Sequence, residues 1–336
     1  MTFQGSIRPS VRRIGRRHGR RRVGGRPPKG SSPLRRFART AALPAVALAL
    51  GAVQAAPARA AAGPPPATSP ARTGTPQAGD LNGAATSQPV YLLHGLELRG
   101  GTDCSSTWKE AIPQLRAAGF TGPLITWGHY SHDTHCTRHI GGTVNTPVQE
   151  LGRRFAWDVY QRYSRHGVPV RVAAHSMGGL VVATALAGVR SQPHGSGSWP
   201  PYLLVKDVVT LSTPFRGIAG KCSTKVRQCR DLKPGSALLE WLAKQSLQGR
   251  GGTDWTLVSA ATDARVPFRS ALAATAKHKV YYQSGQGITH YNLHHLDSGH
   301  SWRIRYTDNG GASYKTTKSG VSPLRYTALA LTSSSR

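Results

Sequence analysis

The stretch Val170-Arg171-Val172-Ala173-Ala174-His175-Ser176-Met177-Gly178-Gly179-Leu180 decides how the rest of this chain is read. Val170, Val172 and the alanines form an apolar, partly β-branched run, while Met177–Arg190 has helical character, and Ser176 joins the two with no intervening loop. A strand that passes straight into a helix must reverse tightly at the joining residue. The positions two before and two after it must then be small, and Ala174 and Gly178 fill them. Alanine stands where the usual G-x-S-x-G pattern has its first glycine, which keeps the turn open with slightly less room. The geometry projects the Ser176 hydroxyl and leaves the Met177 backbone N–H at the positive end of a helix, a pairing suited to a nucleophile and an oxyanion donor. The plainer reading is a serine that caps a helix.

Working outward, short apolar runs alternate with longer helical stretches from residue 86 onward, without internal repeats. Strands are expected at Val90–Leu93, Pro123–Trp127, Val168–Ala174, Leu204–Leu211, Trp255–Ala260 and Lys279–Gln283. They are too uniformly apolar for a sheet with one wet face. Helices are expected at Ser106–Ala118, Thr146–Arg165, Met177–Arg190, Ser236–Ala243 and Pro267–Ala276. In the second of these, Val148, Leu151, Phe155 and Val159 carry the spacing of an amphipathic helix. The alternation predicts one α/β domain over residues 86–336, with a mostly parallel central sheet and helices on both faces.

In such a sheet the site lies at the carboxyl ends of the strands. A serine nucleophile needs a base to take its proton and a carboxylate to orient that base. Asp207 and Asp254 fall at the start of their strands, on the wrong edge, whereas Asp263 follows the strand Trp255–Ala260. The base is more open: His290, His294, His295 and His300 all follow the last expected strand, and His278 precedes it. His290 sits a short reach beyond Ser284-Gly285-Gln286-Gly287 and is preferred, with His300 next.

The elbow segment resembles that of bacterial secreted lipases and esterases of the α/β-hydrolase superfamily, some of which also carry alanine at its first position. Val90-Tyr91-Leu92-Leu93-His94-Gly95-Leu96 resembles the strand that ends in their oxyanion loop. Leu211-Ser212-Thr213-Pro214-Phe215-Arg216-Gly217 resembles their T-P-x-x-G segment, and Asp231-Leu232-Lys233-Pro234-Gly235-Ser236 the opening of a later helix. Trp255–Pro267, with Asp263 and Val266-Pro267, resembles the strand and loop that bear the acid. Gly287-Ile288-Thr289-His290-Tyr291-Asn292-Leu293 resembles the loop that bears the base. The resemblance implies the α/β-hydrolase fold, the order Ser176, Asp263, His290 for nucleophile, acid and base, and Leu96 beside Met177 as oxyanion donors. His94 and His175 are then structural.

The flanks point to export. A basic stretch ending at Arg39 precedes an apolar run from Ala41 to Val53 and an A-x-A pattern, Ala58-Arg59-Ala60. That run is too short to span a bilayer. Residues 1–60 are therefore expected to be an export signal with an unusually long basic region, and residues 61–85, rich in Ala, Pro, Ser and Thr, a disordered linker. The four cysteines allow three pairings, and proximity favours Cys104–Cys136 and Cys222–Cys229 in an oxidising compartment.

The net charge of +30 on 336 residues suggests nucleic acid until its placement is counted. Residues 1–60 hold 14 of the 44 basic residues and no acidic ones, which leaves 30 basic against 14 acidic residues elsewhere. The arm lacks interleaved aromatics, so nucleic acid is not expected as a partner. The remaining basic surface favours anionic partners and transient contact with a lipid interface. His129, His132, His135, Cys136 and His139 invite a metal site, but the disulfide removes one ligand and a hydrated loop is the simpler reading. The sequence thus predicts a secreted carboxylic ester hydrolase of lipase or esterase type that forms an acyl-enzyme on a lipid or small ester substrate without cofactor or metal. Thioesterase or acyltransferase chemistry on the same fold is the alternative within the class. Outside the class stands a basic-arm binding protein with an inactive hydrolase domain. Residues 214–253, with Leu238, Leu239, Trp241 and Leu242, are either a small cap over the site or an ordinary core helix.

Overall fold

The computed structural model describes residues 86–192, 198–297, 299 and 301–332. The expectations for residues 1–85, and His300 as a candidate base, lie outside the described residues. Among them a nine-stranded sheet runs in the order β3-β2-β1-β4-β5-β6-β7-β8-β9. Its strands are β1 Val90–Leu93, β2 Leu124–Tyr130, β3 Arg138–Gly142, β4 Val170–His175, β5 Val205–Leu211, β6 Asp254–Ala260, β7 His278–Tyr282, β8 Trp302–Thr307 and β9 Lys315–Gly320. The first seven are parallel and the last two antiparallel. This is the mostly parallel sheet of an α/β-hydrolase. His278, expected to precede the last parallel strand, is instead its first residue.

Alternation along β1 explains why both faces are covered. Tyr91 and Leu93 join one core with the helices α3, Val148–Arg162, and α4, Met177–Ser191. Val90 and Leu92 join the other, with α1, Cys104–Thr107, α2, Ala111–Ala117, and α8, Pro323–Thr332, nearby. The expected helix over Ser106–Ala118 is split into α1 and α2. Trp108, fully buried in the second core, follows the break. The short helices α5, Arg227–Asp231, α6, Ala237–Leu242, and α7, Phe268–Ala271, lie between β5 and β7. In α6, Leu239 and Leu242 are buried in the first core, and Leu238 and Trp241 pack against it, so this segment is a core helix rather than a lid.

A buried ion pair fastens the sheet to α8. Arg171 of β4 has almost no exposed surface and meets both the Asp207 carboxylate of β5 and the Leu331 carbonyl of α8. A guanidinium placed there is tolerable because these two oxygens and Gln88 Oε1 accept its N–H bonds.

The disulfides are Cys104–Cys136 and Cys222–Cys229. The first joins the start of α1 to the loop between β2 and β3, beside the bridge between Asp103 and Thr134. Closing a 32-residue separation restricts the unfolded chain by about 3–4 kcal/mol. Replacing Cys104 and Cys136 together by serine is therefore expected to lower the urea-unfolding free energy by that order. An unchanged midpoint would contradict this. Among the described residues no helix is long and apolar enough to cross a membrane.

Candidate active site

β4 ends at His175, and Ser176 follows with φ 52° and ψ −127° before α4 begins at Met177. An L-residue held at positive φ is strained, and here several bonds hold it. The Ser176 N–H donates to Leu211 O at 2.8 Å, and its carbonyl accepts from Gly179 N at 3.1 Å and Thr213 Oγ1 at 2.9 Å. A Cβ on Gly178 would lie 2.6 Å from Leu93 O, and one on Gly95 would lie 2.8 Å from Ser176 Cβ. The turn therefore needs small residues on both the helix and the loop after β1.

Three side chains from three strand ends meet at this turn. His290 Nε2 lies 3.0 Å from Ser176 Oγ, and His290 Nδ1 lies 2.9 Å from Asp263 Oδ2. All three residues are buried, at 5–6% exposure. Burial acts to raise the Asp263 pKa, but the His290 hydrogen bond and charge, with the Val266 N–H, hold it below the ordinary carboxylate value. Its other oxygen accepts from Arg265 N at 2.9 Å and Val266 N at 2.7 Å. An ionised carboxylate only accepts, so His290 Nδ1 must carry the proton and Nε2 is left to accept from Ser176.

Of the other histidines, His294 stacks on His175 at 3.9 Å, and His295 Nδ1 bonds Glu110 at 2.8 Å. His278 meets Asp308 and Asp254 at the opposite end of β7. His94 is buried against Asp133, with Nε2 to Oδ2 at 3.0 Å, and the Tyr130 and Thr102 N–H groups hold the same carboxylate. The histidines of the 129–139 stretch go to separate partners. His129 stacks on His94 at 4.0 Å, His135 bonds Asp103, and His139 donates to Tyr130 O. No group of three or more His, Cys, Asp or Glu arranged to hold a metal occurs among the described residues.

Several positioning groups escaped sequence reading. His175 Nε2 donates to His290 O at 2.9 Å, and Thr262 Oγ1 donates to Ile288 O at 2.6 Å. Asn292 accepts from Thr289 N and donates to Gly287 O, which closes the loop around His290. Each bond joins segments that are distant in sequence or lies in a loop with no regular pattern. His175 was expected to be structural, and Thr213, Thr262 and Asn292 lie in segments that carry the resemblance, but no local pattern assigns any of them these contacts.

Ser176 and His290 open onto a cleft of 670 Å³. Leu96, Leu98, Ile218 and Tyr291 give it apolar walls, and Glu97, Arg99 and Arg265 add charge. Leu98 is 56% and Tyr291 72% exposed, so the rim presents apolar surface to solvent. Met177 is the first residue of α4, and its N–H therefore has no intrahelical acceptor. Leu96 lies on the wall of the same cleft.

Residues 141–287 match the model of the family described as "Putative serine esterase (DUF676)". A comparison with curated proteins finds no match. Similar solved structures include phospholipase PlaB from Legionella pneumophila in complex with thio-NAD, at 14% identity and TM-score 0.39, covering 55% of this chain and 44% of that one. Bacillus licheniformis lipase BlEst2 in its propeptide form is 17% identical at TM-score 0.41, covering 61% and 47%. A monoacylglycerol lipase from Paleococcus ferrophilus is 17% identical at TM-score 0.39, covering 60% and 85%. The chain thus spans less than half the length of the first two. Its mostly parallel sheet and its strand–serine–helix turn are those of an α/β-hydrolase fold, and over residues 141–287 the chain is similar to a family described as serine esterases.

Proposed function

We propose that this protein is a secreted carboxylic ester hydrolase of lipase or esterase type, with Ser176 as nucleophile, His290 as base and Asp263 as its orienting acid. The observation that carries the reading is the unbroken hydrogen-bonded chain from Ser176 Oγ through His290 to Asp263. His290 Nε2 takes the hydroxyl proton as Oγ attacks the ester carbonyl, and Asp263 stabilises the imidazolium that forms. The N–H groups of Met177 and Leu96 receive the developing oxyanion, each worth about 3 kcal/mol in the transition state. His290 then protonates the leaving alcohol. A water deprotonated by the same nitrogen releases the acyl group from Ser176. The apolar walls of the cleft and the exposed Leu98 and Tyr291 suit a lipid or small ester substrate and brief contact with a lipid interface. The two disulfides are compatible with an oxidising, extracellular setting.

The test is a series of p-nitrophenyl esters from acetate to palmitate. Hydrolysis is expected, and its dependence on acyl length separates esterase from lipase. A folded, disulfide-bonded protein that cleaves none of them would overturn the ester-hydrolase reading. Turnover of acyl-thioesters alone would move it to the thioesterase alternative.

A further inference from the structure

A second cavity, of 560 Å³, is lined in part by the same loops that wall the catalytic cleft, and the proposed ester hydrolysis makes no use of it. Arg216, in the loop after β5, Arg269 of α7, Lys279 of β7 and Arg305 of β8 contribute four cationic side chains, and no carboxylate lines it. Arg305 stands directly opposite Tyr281 across the β7–β8 pair. Its guanidinium lies 6.0 Å from the Tyr281 ring and 5.7 Å from that of Tyr314. Phe268 stacks on Tyr281 at 4.8 Å, so the floor is a continuous aromatic surface.

None of the four cations takes part in the ion pairs among the described residues. Nearby Asp254 and Asp308 both turn to His278. Lys279 Nζ donates to Leu272 O at 3.0 Å, and burial with the nearby Arg216 charge holds its pKa below the ordinary lysine value. Like charges gathered in a concavity without a counter-ion repel one another, and a bound anion relieves that repulsion. Planar guanidinium groups match phosphoryl oxygens two at a time, and more than one negative charge is needed to satisfy four cations.

We infer that this cavity is a binding site for a phosphate-bearing anion, distinct from the catalytic cleft. The inference stands whether or not Ser176 is a nucleophile. The same loops serve both cavities. Ile218 and Arg265 face the cleft, while Arg216, Phe268 and Arg269 face the cationic cavity. Ser270 Oγ links the loops by accepting from Arg216 N and donating to Gly217 O.

The test uses the full chain and two probes. Inorganic phosphate is titrated while the arginine side-chain N–H resonances are followed by NMR. Vesicles of phosphatidylglycerol are compared with vesicles of phosphatidylcholine by co-sedimentation. R216S/R305S is compared with wild type and with K225S/K244S, which removes the same charge from exposed positions elsewhere. R216K/R305K keeps the charge and guards against a folding defect. Saturable phosphate binding weakened about ten-fold in R216S/R305S, but not in K225S/K244S, supports the site. If phosphatidylglycerol binding falls in parallel, the phosphate belongs to a lipid headgroup. If vesicle binding is the same in both double variants, it belongs to a soluble ligand. Phosphate and vesicle binding that do not distinguish R216S/R305S from K225S/K244S would overturn the inference, leaving only a solvated basic face.

Discussion

Ser176→Ala is expected to lower ester hydrolysis by about 10⁴-fold or more while leaving the fold intact, and Asp263→Asn by a comparable factor. The two substitutions fail for different reasons. Alanine removes the attacking oxygen but relieves the positive-φ turn of little besides a hydroxyl, because Ser176 is held through its backbone by Leu211, Gly179 and Thr213. Asparagine retains the shape of Asp263 and can still accept from Val266 N and Arg265 N, but it offers His290 no negative charge. The imidazole then has no reason to keep its proton on Nδ1, and Nε2 no longer faces Ser176 as an acceptor. In the proposed triad the three groups act as a unit, so Ser176→Ala combined with Asp263→Asn should be no slower than Ser176→Ala alone. Additive losses, measured as kcat/KM on the same ester, would mean that the residues act separately.

Folding stability is expected to fall between pH 7 and pH 5, by about 2 kcal/mol from His294 alone. His129, His175 and His294 are each buried, and burial drives their pKa values down, to about 3 for His294 and well below the ordinary value for the other two. Near pH 5 the unfolded chain binds a proton at each ring, with an ordinary pKa of about 6.5, while the folded chain does not. Stability from this source is therefore complete above about pH 6.5 and is lost as the pH falls towards the depressed values. At pH 5 His294, held at about 3 in the folded chain, accounts for about 2 kcal/mol, and His129 and His175 act in the same direction. Even about 2 kcal/mol is a substantial share of the roughly 5–15 kcal/mol that holds a typical domain together. Urea unfolding at the two pH values checks the expectation, and His129→Phe should make the loss between them smaller. Equal stability at pH 7 and pH 5 would contradict it.

What the sequence disclosed and what it withheld divide along a physical line. The central parallel strands were legible because they are covered on both faces and are therefore mostly apolar, as in β1. The turn at Ser176 was legible because a strand, a small-residue pair and a helix are all local. The antiparallel strands β8 and β9 were not. Trp302 and Ile304 point inward while Arg303 and Arg305 point outward, and β9 consists of Lys, Thr, Ser and Gly with no buried residue. An edge of that kind has no hydrophobic signature, and its lysines discourage pairing with other chains. The edge strand β3, Arg138–Gly142, was hidden for the same reason.

Within the candidate site, the edge rule placed Asp263 at the carboxyl end of β6, and the structure brings it to His290. Four histidines within eleven residues left the base open, because nothing local says which ring turns toward Ser176. That choice depends on long-range bonds such as Thr262 to Ile288 and His175 to the His290 carbonyl. The expected helix over Pro267–Ala276 shrinks to Phe268–Ala271, and the residues after it line the cavities on either side.

The most direct measurement is mass spectrometry of the protein after reaction with diisopropyl fluorophosphate, which labels only a serine whose proton a neighbouring base can take. The expected result is one adduct, on the peptide that contains Ser176, formed together with loss of ester hydrolysis and absent from His290→Ala. Labelling of a different serine, or an enzyme that cleaves esters at full rate without taking up the reagent, would contradict the assignment of Ser176 as nucleophile.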